Sequence, residues 1–206
     1  MKQAAPKQSK APPRERILAA ARELFYRDGI RAVSVDVVAA AADTNKMTLY
    51  RHFASKDALV AVYLKQLAAE GDAIWQAARE EYPDDAQAQL LALLRRASQF
   101  SDECSGRGCA LANAAVELAE RRHPARRIIE QYKGQQRARL ARLCRDAGFE
   151  RPERLADEIF LLLEGARVSL QSAGPEGPGS RLFALAQSLL AAAPRRAPRA
   201  AGRRKA

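Results

Sequence analysis

Apolar positions in this chain recur three and four residues apart over most of its length, and runs that alternate apolar and polar residues in strand fashion are absent. Ile17, Leu18, Ala21, Leu24 and Phe25 share one helical face, which predicts a first helix over about Arg14 to Asp28, ended by Gly29. A second, short helix is expected to start at Ser34 as N-cap, to bury Val37, Val38 and Ala41, and to stop near Ala42 and Asp43. A third begins with Asn45 as N-cap and runs to about Phe53, burying Leu49 and Phe53 four residues apart. Ser55 caps a fourth, longer helix from Lys56 through about Ala78. Further helices are expected at about 86–100, 109–121, 124–147, 152–172 and 180–193, with 101–109 as a loop. Pro124 and Pro152 stand where proline starts helices, and Gly148 and Gly174 where glycine ends them. The fold class is therefore all-α.

Composition narrows the function. With 48% hydrophobic residues in 206, the chain can bury a real core, but it has no apolar run of the roughly 18–20 residues a membrane span needs. The basic start, MKQAAPKQSKAPPRER, lacks the apolar segment of a secretory signal, so a cytoplasmic location is expected. Charge is unevenly distributed. Residues 1–53 hold 10 Lys and Arg against 5 Asp and Glu, residues 54–193 hold 19 of each, and residues 194–206 hold 6 basic residues and no acid. A neutral body with one basic segment that folds and one basic tail points to a module for a polyanion, nucleic acid first. The first 13 and last 13 residues are mostly Pro, Ala and basic side chains, expected to form disordered arms.

Enzymatic chemistry has no foothold in the sequence. No phosphate-binding glycine loop, metalloprotease helix motif, nucleophile elbow or dinucleotide fingerprint is present, and the two histidines, His52 and His123, lack a catalytic setting. Cys104, Cys109 and Cys144 form an odd set in a chain without an export signal, which argues for reduced thiols. The Cys104–Cys109 spacing has no second ligand pair downstream, so neither a metal nor a cofactor is expected.

Two short helices joined by a tight turn and braced by a longer first helix fit a helix-turn-helix, whose second helix enters the DNA major groove. Its outward residues, Lys46, Met47, Thr48, Tyr50 and Arg51, combine donors with a small apolar surface, a set suited to base edges and phosphates together. Asn45 at its start adds backbone N–H groups for a phosphate. The run from Ala42 to Leu59, with Thr48-Leu49-Tyr50-Arg51-His52-Phe53 followed by Ser55-Lys56-Asp57, closely resembles the signature of the TetR family of bacterial transcriptional regulators. Ile17, Ala20, Ala21, Leu24, Phe25, Gly29 and Val33-Ser34-Val35 stand at the family's upstream positions, so the resemblance covers roughly residues 14–62. Two positions depart from it. Asp43 replaces the usual turn glycine, which asks for a left-handed conformation on an aspartate or a modified turn. Met47 replaces a commonly small residue, so base preference does not carry over.

The resemblance implies phosphate anchors at Thr48, Tyr50 and Lys56, base-facing positions at Lys46, Met47 and Arg51, and DNA contact around Ser34 and Asn45. Tyr50 is expected outward and His52 partly structural. It further implies a domain order of basic arm (1–13), helix-turn-helix domain (14–60), helical effector-binding and dimerisation domain (61–193) and Arg-rich tail (194–206), with a long helix joining the two domains. Broad apolar faces over 155–170 and 182–190 are compatible with a homodimer interface. Trp75, Phe100, Cys109, Asn113, Tyr132 and Glu164 are the candidates for an effector pocket.

The expected function is a regulator, a repressor that binds a pseudo-palindromic double-stranded operator as a homodimer and is released by a small-molecule effector, with no membrane partner. Two alternatives stand beside it. One is a low-specificity architectural DNA-binding protein. The other is a thiol-based redox or electrophile sensor through Cys109, which follows Arg107 at a helix start, a setting in which thiolates form, with Cys104 as resolving partner.

Overall fold

A computed structural model describes residues 11–103, 107–118, 120 and 123–196. Within them the chain forms α1 (Pro13–Asp28), α2 (Val35–Ala41), α3 (Lys46–His52), α4 (Lys56–Glu81), α5 (Ala86–Glu103), α6 (Ala110–Glu117), α7 (Pro124–Asp146), α8 (Pro152–Ala173), a 3-10 turn (Pro178–Arg181) and α9 (Leu182–Ala192). No strand occurs among the described residues, so the protein is all-α as its apolar spacing requires. None of these helices is long and apolar enough to cross a membrane.

The chain divides into two compact units. One comprises the residues through Ala68 together with Ala110–Ile129; the other comprises Ala69–Cys109 with the residues from Glu130 onward. The division places α6 with the N-terminal helices, where a simple cut after residue 60 would have put it in the second domain.

In the first unit, α1 packs on α2 and α3, which also pack on each other. Pro13 opens α1, and Ile17, Leu18, Ala21, Leu24 and Phe25 are buried, the five positions its periodicity selects. Leu49 of α3 and Leu59, Val60, Tyr63 and Leu64 of α4 close this core, with the Tyr63 ring edge-on to Phe25 at 5.6 Å. The expected face of α2 is corrected. Ser34 caps it as predicted, accepting from the Val37 N–H, but Val35, Val38, Ala39 and Ala42 are buried while Val37 is 48% exposed and Ala41 is exposed. The i, i+3, i+4, i+7 stripe starts one residue after the cap, which turns Val37 and Ala41 outward.

The second unit has its core between α5, α7, α8 and α9: Leu90, Leu94, Leu140, Cys144, Phe149, Leu155, Ile159, Ala186 and Leu190. α4 and α5 outlast their predicted ends, to Glu81 and Glu103, because residues 79–81 and 101–103 include no glycine or proline that would stop them. Pro194–Arg196, the start of the expected free tail, are instead tied down. The Glu150 N–H donates to the Pro194 carbonyl at 3.0 Å and the Arg196 N–H to the Gly148 carbonyl at 2.8 Å. At the other end the expected arm is shorter than 13 residues, since Pro12 caps α1 and Pro13 opens it; residues 1–10 and 197–206 lie outside those described, as does Cys104.

Candidate nucleic-acid interface

The turn between α2 and α3 is held by Asp43, which has φ of 50° and is the one non-glycine residue with positive φ among those described. Asparagine and aspartate tolerate this left-handed conformation better than other side chains, so the fold keeps a normal turn without the customary glycine. Arg16 on α1 reaches across to it, donating from Nη2 to the Asp43 carbonyl at 3.2 Å, with Nη1 3.7 Å from its carboxylate.

Asn45 then caps α3. Its side-chain oxygen accepts from the Thr48 N–H at 2.9 Å, and the Leu49 N–H returns to the Asn45 carbonyl at 3.0 Å. Leu49 and Phe53 bury the inner face and fix the rotation of the helix. The opposite face is thereby presented to solvent: Met47 is 75% exposed and Tyr50 41%, Lys46 and Arg51 are exposed, and Thr48 is half-buried. Leaving a methionine and a tyrosine in water on a seven-residue helix is a poor solution for stability and a good one for contact with a partner.

Two of the predicted residues have neighbours that the sequence does not reveal. The Lys46 ammonium donates to Asp36 of α2 at 3.0 Å, and that hydrogen bond and charge raise its pKa. Lys56 is half-buried, lies 3.4 Å from the Arg31 carbonyl, and has its pKa lowered chiefly by burial. His52 is exposed, which corrects the expectation of a partly structural role; it follows Tyr50 and Arg51 on the solvent side. The loop before α2 is pinned from within the same unit, since the Arg31 N–H donates to the Glu117 carboxylate of α6 at 2.9 Å. Gly29 has φ of 92°, a conformation that calls for glycine, and the Glu117 carboxylate lies 3.0 Å from where a Cβ would stand.

Of the effector-pocket candidates, the second unit brings together Cys109 and Glu164 through Lys133. The Lys133 ammonium bonds Glu164 at 2.6 Å and sits 3.8 Å from the Cys109 sulfur. Tyr132 is buried, bonded to Gln136, and pushed up to about 12 by that burial. Trp75 is half-buried beneath the Arg139 guanidinium, whose other contact is Asp72. Asn113 belongs to the first unit instead. The Phe100 side chain lies outside the described residues. Lys133 and Arg139 escape a sequence reading because their partners are 31 and 67 residues away, where no local pattern marks a pair, whereas Arg167 meets Glu164 at the i, i+3 spacing of one helix face.

Comparison with known proteins places this geometry. Residues 17–63 match the family described as bacterial regulatory proteins, tetR family. Over 55 residues the chain is 40% identical to the HTH-type transcriptional regulator UidR of Escherichia coli K12, a match spanning 27% of this chain and 28% of that relative. Its fold is similar over nearly the whole length to SCO4454, a TetR-family transcriptional regulator from Streptomyces coelicolor, with a TM-score of 0.82, 28% identity and coverage of 87% of this chain and 94% of the other. A TetR-type regulator from Streptomyces avermitilis aligns with a TM-score of 0.76 and 28% identity over 88% of this chain and 98% of its own.

Proposed function

Since this chain belongs to the TetR family of bacterial helix-turn-helix regulators, we propose that it is a repressor that binds a pseudo-palindromic operator as a homodimer and is released by a small molecule. The observation that carries the proposal is the α3 face, where Lys46, Met47, Thr48, Tyr50 and Arg51 stand outward on a helix whose inner side is locked by Leu49 and Phe53. Lys46, Met47 and Arg51 would read base edges, and Thr48, Tyr50 and Lys56 would hold phosphates, with the capped starts of α2 and α3 at Ser34 and Asn45 setting the register. Lys56 would exchange its contact with the Arg31 carbonyl for a phosphate oxygen.

Two copies are required because one seven-residue helix reads too few base pairs for a unique site. The second unit offers a surface for pairing: Leu161 is 69% exposed, Val168 58% and Leu185 48%, and a Cβ on Gly165 between them would meet nothing within 4 Å. Leu161, Gly165 and Val168 follow one stripe of α8, and a mate packed on it would remove this apolar surface from water. An effector bound in the second unit would lower operator affinity by preferring a dimer state whose half-site spacing no longer fits one helical turn of DNA, about 34 Å.

Selection of bound duplexes from a random pool at moderate salt tests the reading. An enriched inverted repeat is the expected result. Tight binding without enrichment would favour an architectural protein, because a specific regulator prefers its site by about 10³ or more.

A further inference from the structure

α2 and α3 together carry one acidic side chain, Asp36, and it is 62% exposed. Its carboxylate accepts from the Lys46 ammonium at 3.0 Å, and Lys46 is 51% exposed. The residues that follow the two partners, Val37 and Met47, are exposed and apolar, so the pair supplies the hydrogen-bonding groups at this seam between the helices. An exposed ion pair adds little to folding stability, and a carboxylate on this face repels phosphates. A donor and an acceptor held 3.0 Å apart do, however, match one feature of duplex DNA. In a G·C pair, guanine O6 and cytosine N4 are hydrogen-bonded to each other at about 2.9 Å, and both also point into the major groove.

We propose that Asp36 and Lys46 together read one G·C base pair in each half-site, Lys46 on guanine and Asp36 on cytosine. This rests on the reading that the α3 face binds an operator, and adds to it a base-reading residue on α2. The ammonium has three donors: one stays on Asp36, and two reach guanine O6 and N7. The carboxylate has lone pairs beyond the one that Lys46 uses, and one of them accepts the cytosine N4 hydrogen that base pairing leaves free. The same atoms rank the other base pairs. With thymine in the place of guanine, Lys46 meets O4 and Asp36 meets adenine N6, but the N7 contact is lost and the thymine methyl crowds the ammonium. With adenine or cytosine there, an amino group faces the ammonium and a carbonyl oxygen faces the carboxylate, so both contacts turn repulsive. The order of preference is therefore G·C, then T·A, then A·T and C·G.

Fluorescence anisotropy of the full-length protein on the operator recovered from the random pool, and on every single base-pair change of its half-site, tests the pair. One position per half-site should show this order, with A·T and C·G at least about tenfold weaker than G·C. Putting 7-deazaguanine at that position removes N7 and should lower affinity to within about threefold of T·A. Asp36→Ala, unlike Asp36→Asn, leaves no acceptor for cytosine. It should bring A·T and C·G at that position to within about threefold of G·C, while all other positions keep their preferences. Circular dichroism establishes that the variant is folded; should it unfold, Asp36→Leu, which also removes the acceptor, takes its place, and the wild-type order and the 7-deazaguanine result need no variant. A change of equal size on every sequence would make Asp36 a support of the fold and overturn the proposal. An enriched inverted repeat without a position of this order would overturn it as well, with the operator reading intact. Tight binding with no enriched repeat would overturn the operator reading and the base-reading pair together.

Discussion

Replacing Asp43 separates backbone strain from side-chain contact at the turn on which the DNA-binding face depends. In the left-handed region, a residue with a Cβ costs roughly 1–2 kcal/mol, which aspartate partly escapes by local hydrogen bonding. Asp43→Ala keeps the Cβ and loses both that tolerance and the 3.7 Å pair with Arg16, itself worth under about 1 kcal/mol because the aspartate is 71% exposed. The expected loss is about 1 kcal/mol. Asp43→Gly relieves the strain but loosens the unfolded chain by about 0.4–1 kcal/mol and gives up the ion pair, so its net effect is near zero. Asp43→Asn should match wild type, and Asp43→Val, β-branched, should cost about 2 kcal/mol.

The assay is thermal unfolding of the full chain, with amide exchange at Leu49 reporting the turn and α3 directly. One kcal/mol corresponds to a midpoint shift of roughly 2–4 °C for a chain of this size. The order of stability is expected to be Asp, Asn and Gly together, then Ala, then Val. Arg16 donates to the Asp43 main-chain oxygen, which every variant retains, so that bond cannot produce the order. An alanine variant as stable as the glycine variant would refute the left-handed turn.

Three further outcomes follow from the same geometry. Tyr132 and Cys144 are both pushed up to about 12 by burial, from ordinary values of 10 and 9; the unfolded chain therefore ionises first, and stability is full below about pH 9 and falls as pH rises toward 12. Urea midpoints between pH 8 and 11 should show this decline, with Tyr132→Phe reducing it, whereas a flat profile would contradict the burial of both groups. Asp36→Asn frees the Lys46 ammonium from its 3.0 Å partner and should strengthen binding to any duplex by about threefold with a steeper salt dependence, read by fluorescence anisotropy. Leu161→Asp combined with Val168→Asp places two charges on the apolar stripe of α8, and light scattering should show a monomer with unchanged helix content; a persistent dimer would move the interface elsewhere.

What could be read in the sequence divides by range. The elements of the DNA-binding unit announce themselves through neighbours: Ser34 and Asn45 bond N–H groups three residues on, and Leu49 and Phe53 share a face four apart, so caps and periodicity suffice. At Asp43 the sequence leaves two conformations open, left-handed or a modified turn, and the structure takes the left-handed one. The failures lie where an outcome depends on rotation or on a distant partner. Val37 was placed inside because α2 is seven residues long, too short for an apolar count to fix its phase, and Val35 took the inner position. Lys46 and Lys56 were assigned to DNA alone, since Asp36 and the Arg31 carbonyl are 10 and 25 residues away. In the second unit the helices were legible and the polar cluster was not: Lys133 and Glu164 meet only after α7 and α8 have packed.

The C-terminal segment shows how a local and a long-range reading can be separated by experiment. Its composition predicts a basic arm that adds phosphate contacts, but Arg195 stacks 4.4 Å over Phe149 and donates to the Ala147 carbonyl at 3.0 Å and to Gln87 at 2.9 Å. Flanking it are the two main-chain bonds that pair Pro194 and Arg196 with the turn between α7 and α8. Removing residues 194–206 would therefore mix two effects, charge and packing, whereas removing 197–206 takes away Arg199, Arg203, Arg204 and Lys205 and leaves the clamp. The shorter deletion should flatten the salt dependence of DNA binding by up to about 3 in slope, with melting and sequence preference unchanged. The longer one should also cost about 2 kcal/mol in stability, from two main-chain bonds at about 0.5–1 kcal/mol each and a cation–π contact of similar size. Equal melting of the two deletions would mean that Arg195 rests on Phe149 without holding it, and a changed base preference in the shorter one would mean that the arm reads sequence.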